Sequence, residues 1–375
     1  MNPRRNGHWR WMPCAFVLAC AACATADPKP DPGNPEEDTV SGIECSAPHQ
    51  LAHDAEGCQV LSTDYQPRDS NSENDSWPAC ISDDDTYHKI DPNVSSVARV
   101  LAYDTVGKRL WAEGVEPTAQ DFNDMRVLFE EAEGLGSRIV RRYDLHYPAP
   151  AIGKCEDNAA IPLANPDYCV GPAKLQPILT AAFAEGSQGQ NLVVNARKIR
   201  AAIQWFLYLS PLKEFTTCTT AKKDCDSGWA YYTGGGERGA PVGLSADIAT
   251  LAPATHDRIF DGVLAMRCWK NLDNESGTST NLALRDSART QLDTALLRGM
   301  AVIVRQRFLD LFCSSGDYQA GALEELRILV PLLDRAFRER NATQADALKN
   351  EVLKEAADID VQSCIAALDE TFPCP

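Results

Sequence analysis

The chain has 375 residues, 44% of them hydrophobic, and a formal net charge of −17. That length allows one large domain or two, and the acidity excludes nucleic acid as the expected partner, because phosphate binding needs a basic surface. The 14 cysteines, with no C-x-x-C pair outside the N-terminal apolar run, read as disulfides formed in an oxidising compartment.

Arg4, Arg5 and Arg10 form a positively charged start. Trp11 to Ala22 follows as an apolar run too short to span a bilayer comfortably. Val17-Leu18-Ala19-Cys20 resembles the lipobox of bacterial lipoproteins. That resemblance implies export, a lipid anchor on Cys20, and a membrane-held protein facing the periplasm or the exterior. Cys23 is a second lipidation candidate. Ala24-Thr25-Ala26 offers an ordinary cleavage site instead, which would release a secreted chain starting at Asp27. The expected organisation is a signal peptide over 1–20, a Pro/acidic tether over 21–42, a disulfide-pinned loop region over 43–93 and a helical domain over 94–375.

In the loop region, Cys45 and Cys58 are a plausible local pair, whose closure would contribute roughly 3 kcal/mol. Val97, Val100, Leu101, Val106 and Leu110 predict a helix from about Val94 to Trp111. Thr118, followed by Asp121, predicts the N-cap of the next one. Residues 144–172 are proline-rich and loop-like, and Cys155 and Cys169 bracket most of them. Leu175 to Ala184 reads as a short helix.

Asn191 to Leu209 is the expected centre of the fold. Leu192, Ala196, Ile199, Ile203, Phe206 and Leu207 line one face, and Val194, Ala201, Trp205 and Leu209 cover much of the other. Only Arg197, Arg200 and Gln204, with Lys198, are polar, and a helix apolar on most sides must be surrounded. Pro211 is expected to stop it. Further helices are predicted from Thr255 to about Trp269, Asn281 to Phe312, Ala322 to Arg340 and Ala342 to Asp369, with Pro331 kinking or splitting the third. Cys364 and Cys374 are candidates to tie down the tail. With no repeat and no β-rich region, the expected fold class is all-α: an irregular multi-helix bundle with long disulfide-pinned loops.

Candidate chemistry is sparse. Asp224-Cys225-Asp226-Ser227-Gly228 resembles the start of a calcium loop, since alternating carboxylates can converge on one cation. Gly228 stands where a third ligand belongs, however, and no terminal Glu follows at the right distance. The preferred reading is a loop closed by Cys218 and Cys225, whose aspartates cap a helix through Trp229. Asp83-Asp84-Asp85, near Asp75 and Asp91, is a second acidic cluster that reads as solvated or as a calcium site. His256, Asp257 and Asp261 are the nearest approach to an acid–base group, but Asp257 also suits the first turn of a helix. No G-x-S-x-G or H-E-x-x-H signature occurs.

Leu51-Ala52-His53-Asp54-Ala55-Glu56 keeps the His and Glu of a G-x-H-x-x-E motif, with Leu51 in place of the glycine. On that fragment and its helical, exported character the chain resembles the imelysin-like envelope proteins. That family is helical, periplasmic or lipid-anchored, and linked to iron uptake or extracellular binding, which makes His53 and Glu56 its implied metal ligands. The function expected is therefore a lipid-anchored envelope module, not an enzyme, that binds or scaffolds a protein or small-molecule ligand without a resident cofactor. The alternatives are a calcium- or iron-binding envelope protein, and a hydrolase using Asp257 and Asp261.

Overall fold

A computed structural model describes residue 45 and residues 61–68, 76–131, 134–272 and 280–373. Among them are twelve α-helices and no β-strand. In chain order they are α1 (Ser96–Leu110), α2 (Ala119–Glu131), α3 (Leu135–Ile139), α4 (Ala160–Ala164), α5 (Gln176–Ser187) and α6 (Leu192–Thr217). There follow α7 (Lys223–Thr233), α8 (Leu244–Leu251), α9 (Pro253–Leu272), α10 (Leu282–Cys313), α11 (Gly316–Glu351) and α12 (Val361–Thr371). The expected all-α, disulfide-pinned class is what the chain adopts. No helix among the described residues is long and apolar enough to cross a membrane.

Local signals set many of the boundaries. Thr118 and Asp121 cap α2 reciprocally: the Thr118 amide donates to Asp121 (2.9 Å), and the Asp121 amide donates to the Thr118 hydroxyl (3.3 Å). The Asn281 side chain accepts from the Leu284 amide at the start of α10. Helix α11 runs through Pro331 and breaks at Asn341 (φ −153°, ψ 91°), the point where two separate helices are expected.

At the centre lies α6. Every residue from Ala201 to Leu212 is buried, because α5, α7 and α11 pack along it and α1, α8 and α10 touch it. Pro211 does not end it. The helix continues to Thr217 and buries Leu212 and Phe215, so packing on both sides of the proline outweighs the roughly 3 kcal/mol that an interior proline costs. The other main seam joins α9 to α10. There a Cβ on Gly262 would come within 2.7 Å of the Leu292 backbone, so the two helices meet as closely as backbones allow. Gly299 admits Ile248 of α8 in the same way, at 2.6 Å.

Four disulfides join described cysteines. Cys155–Cys169 closes the proline-rich loop, and Cys218–Cys225 closes the turn between α6 and α7. The expected Cys45–Cys58 pair is corrected: Cys45 joins Cys313, at the end of α10, across 268 residues. Proximity in sequence favours the shorter closure, but the fold lays Cys45 against α10. Cys80 joins Cys268 of α9. Cys364, expected to hold the tail through Cys374, is instead a buried free thiol, and burial with the nearby Glu351 and Asp360 carboxylates pushes its pKa up to about 12. Cys58 and Cys374 themselves lie outside the described residues.

Candidate functional site

The polar strip of α6 becomes the floor of a cavity. Arg197, Arg200 and Gln204 recur at helical spacing, so they share one side of the helix, and that side meets α11 and α10. Glu325 of α11 sits there with its side chain fully buried. Arg197 Nη1 donates to Glu325 Oε2 (3.1 Å), Arg307 Nε of α10 lies 3.4 Å from the same oxygen, and Arg200 Nε lies 3.8 Å from Oε1. Arg307 also pairs with Asp310, which accepts from Gln306 Nε2 at 2.9 Å. Burial would raise the Asp310 pKa, but Arg307, Gln306 and Arg197 hold it below the usual carboxylate range.

Above this floor opens a cavity of about 800 Å³ between α1, the 112–117 turn, α6, α8 and α10. Tyr103 and Trp111 form an aromatic wall, with ring centroids 5.5 Å apart. Tyr103 Oη and Gln204 Nε2 donate to Asp247 Oδ2, at 2.5 and 2.8 Å. Asp104 of α1 also lines the space, and burial together with the nearby Asp247 raises its pKa. The Cys45–Cys313 disulfide sits at the edge.

One group in this network stands apart. Arg197 and Arg307 each donate through Nη1 to a carboxylate, whereas Arg200 makes no hydrogen bond among the described residues; its Nε, like that of Arg307, is buried without one, and its charge is held only by the nearby Glu325 and Asp247 carboxylates. A guanidinium cannot shed its proton to escape that cost. The described lining contains no histidine, serine or free thiol. It can hold a ligand by charge, hydrogen bonds and stacking.

A second cavity, of about 410 Å³, lies beside Leu145, His146, Arg289 and Asp293. His146 bridges two carboxylates, Nδ1 to Asp144 (2.6 Å) and Nε2 to Asp293 of α10 (2.8 Å). Burial alone would lower its pKa, but these hydrogen bonds and the charges behind them raise it to about 9. The protonated ring thus clips the 144–147 segment to α10.

The residues singled out in the sequence fall elsewhere. Asp224 and Asp226 do not form a cation loop. Both lie in the first turn of α7, and positions two apart on a helix point to different sides. Asp226 is buried and accepts from Tyr87 Oη (3.1 Å), the Ile90 amide (3.0 Å) and the Asp91 amide (2.7 Å), so it anchors the 87–91 turn. In the other acidic cluster each carboxylate has its own partner: Asp83 the Tyr65 hydroxyl, Asp84 His88, and Asp85 Arg238. Among the described residues no group of three or more His, Cys, Asp or Glu could hold a metal.

Asp257 and Asp261 do come together, but around Arg238. Its Nη2 pairs with Asp261 (2.6 Å) and Asp85 (2.6 Å), and its Nη1 donates to the Asp257 carbonyl (2.9 Å). Burial raises the Asp261 pKa to about 6 against the opposing pull of Arg238. Asp257 is mostly exposed, and neither carboxylate lines either cavity. Their geometry is that of a clamp between the 81–85 turn and α9. Cys20, His53 and Glu56 lie outside the described residues.

The Arg200 cavity and the His146 clip were both missed in the sequence. The cavity had a signal there: a polar strip on a helix with no other polar side. No family model matches this chain, and comparison with curated proteins and with solved structures gives no match.

Two predictions follow from the charges. Glu325→Gln keeps the shape but leaves Arg197, Arg200 and Arg307 around an uncharged amide, and urea unfolding should show a loss of roughly 3 kcal/mol; a change below about 1 kcal/mol would show that the guanidiniums are satisfied elsewhere. The His146 pKa is raised from 6.5 to about 9 on folding, so its contribution is complete below pH 6.5 and disappears as the pH climbs through 9. Unfolding at a series of pH values should show a decline on the order of 2 kcal/mol over that window, and His146→Gln should remove the decline.

Proposed function

We propose that this chain is an exported binding module of the bacterial cell envelope, held to the membrane by a lipid on Cys20, and that its ligand is a small molecule seated in the Arg200 cavity. The observation that carries the binding role is the cavity itself. Its volume, about 800 Å³, is that of a small-molecule site, and its floor holds the Arg200 guanidinium, which makes no hydrogen bond among the described residues. Four disulfides among the described cysteines suit an oxidising compartment.

The anchor is tested by mass spectrometry of the mature protein. A diacylglyceryl-modified Cys20 at the N-terminus is expected, whereas an unmodified chain beginning at Asp27 would refute the anchor. Binding is tested by NMR with small aromatic fragments. Fragments that bind should shift the Trp111 indole N–H, and Thr250→Trp, which fills the cavity from α8, should abolish the shift. If no fragment at millimolar concentration moves that signal, the cavity is not a ligand site and the module is a protein scaffold instead.

A further inference from the structure

We propose that the cavity takes a monocarboxylate with a flat apolar body, its carboxylate forked onto the two terminal nitrogens of Arg200. The assignment rests on the binding function proposed above and adds the chemical class of the ligand.

Three observations define that class. First, Arg200 has five N–H donors, yet among the described residues its nearest carboxylate oxygen is Glu325 Oε1, 3.8 Å from Nε. Its side chain is 16% exposed and lines the cavity, and neither terminal nitrogen makes a hydrogen bond among the described residues, although Glu325 and Asp247 lie close enough to stabilise the charge. A planar two-oxygen acceptor fits such a fork in a bidentate way that a point acceptor does not.

Second, no cation around it is left over for a second negative charge. Arg197, Arg200 and Arg307 face Glu325, Asp310 and Asp247, and of the other charged lining residues Lys108 is positive while Asp104 and Glu113 are negative. A dianion such as a phosphate monoester needs uncompensated cations, and here its second charge would meet the Asp247 and Asp104 carboxylates. A singly charged carboxylate meets those groups with half the charge and has the Arg200 fork to set against them.

Third, the walls are flat and apolar. Tyr103 and Trp111 present tilted rings at 5.5 Å, and Val115, Pro117 and Leu251 continue the surface. Rings in the ligand gain stacking and burial there without new polar partners.

Calorimetric titration of the full chain with three probes of one shape tests the assignment: 2-naphthoate, 2-naphthamide and 2-naphthyl phosphate. Naphthoate should bind at least about tenfold more tightly than the amide, the size expected of a charge-assisted pair, and more tightly than the phosphate. Arg200→Gln should erase the preference for naphthoate while leaving the amide affinity within about twofold. Arg200→Lys, which keeps the charge but not the fork, should retain only part of the preference. Equal binding of naphthoate and naphthamide to the native chain overturns the carboxylate assignment and leaves the cavity as a ligand site. Tightest binding of the phosphate overturns the single-charge argument. No binding of any probe at millimolar concentration overturns the cavity as a ligand site, and the ligand class with it. The comparison among probes on the native chain decides these outcomes even if an Arg200 variant fails to fold.

Discussion

A helix that has no face left for water must find partners for its polar side chains inside the protein. In α6 that requirement falls on Arg197, Arg200 and Gln204: Asp247 of α8 accepts from Gln204, and Glu325 of α11 accepts from Arg197 and faces Arg200. The fully buried carboxylate fixes where α11 lies along α6. Arg307 and Asp310 then draw α10 to the same point. Desolvating these charges is costly, and a buried network of this kind is on balance no more stabilising than an apolar core of equal volume. Its presence is better explained by what it holds in place, which is a polar floor under an open cavity.

The disulfides act at the other end of the hierarchy. Cys45–Cys313 and Cys80–Cys268 span 268 and 188 residues and bind the N-terminal loop region to α10 and α9. In the chain-entropy model each such closure is worth about 5 kcal/mol, against roughly 3 for a loop the size of Cys155–Cys169. Among its described residues, 45, 61–68 and 76–93, the loop region has one short helical turn, Ile81–Asp84, and is held by scattered contacts. Tyr87 stacks on Trp229 at 4.8 Å, Asp226 gathers the amides of Ile90 and Asp91, and the Gln291 side chain bonds both backbone groups of Tyr65. Long cross-links add to these what a core would supply elsewhere.

Much of the fold was legible from local rules. The Thr118–Asp121 box, the Asn281 cap and the burial of α6 each follow from a few neighbouring residues. What depended on distant residues was not. Pro211 was expected to stop α6, because the cost of an interior proline is local and visible, whereas the burial of Leu212 and Phe215 that offsets it is tertiary. Cys45 was paired with its neighbour in sequence because nothing local marks Cys313 as its partner. The alternating aspartates at 224 and 226 carried the pattern of a cation loop, but they lie in a helix, which turns that alternation away from a common point. The candidate site was half legible: Arg197, Arg200 and Gln204 were visible as an anomalous strip, but Glu325 lies more than a hundred residues away and Arg307 on a third helix.

That division bears on how the cavity would select a ligand. Its charges are largely matched within the protein, so net attraction is small and long-range steering by a cationic field is absent. Selectivity must come from the one set of donors left over. A ligand without a two-oxygen acceptor would fill the aromatic walls but seal Arg200 away from both water and a partner, and that loss is larger than any single apolar contact it could gain in return. A matched floor with one open fork is therefore a better discriminator than a pocket lined with free cations, which would accept any anion of the right size. The same economy gives Arg197 and Arg307 their roles: each donates through Nη1 to a carboxylate of the floor, and Arg200 is the guanidinium that makes no such bond among the described residues.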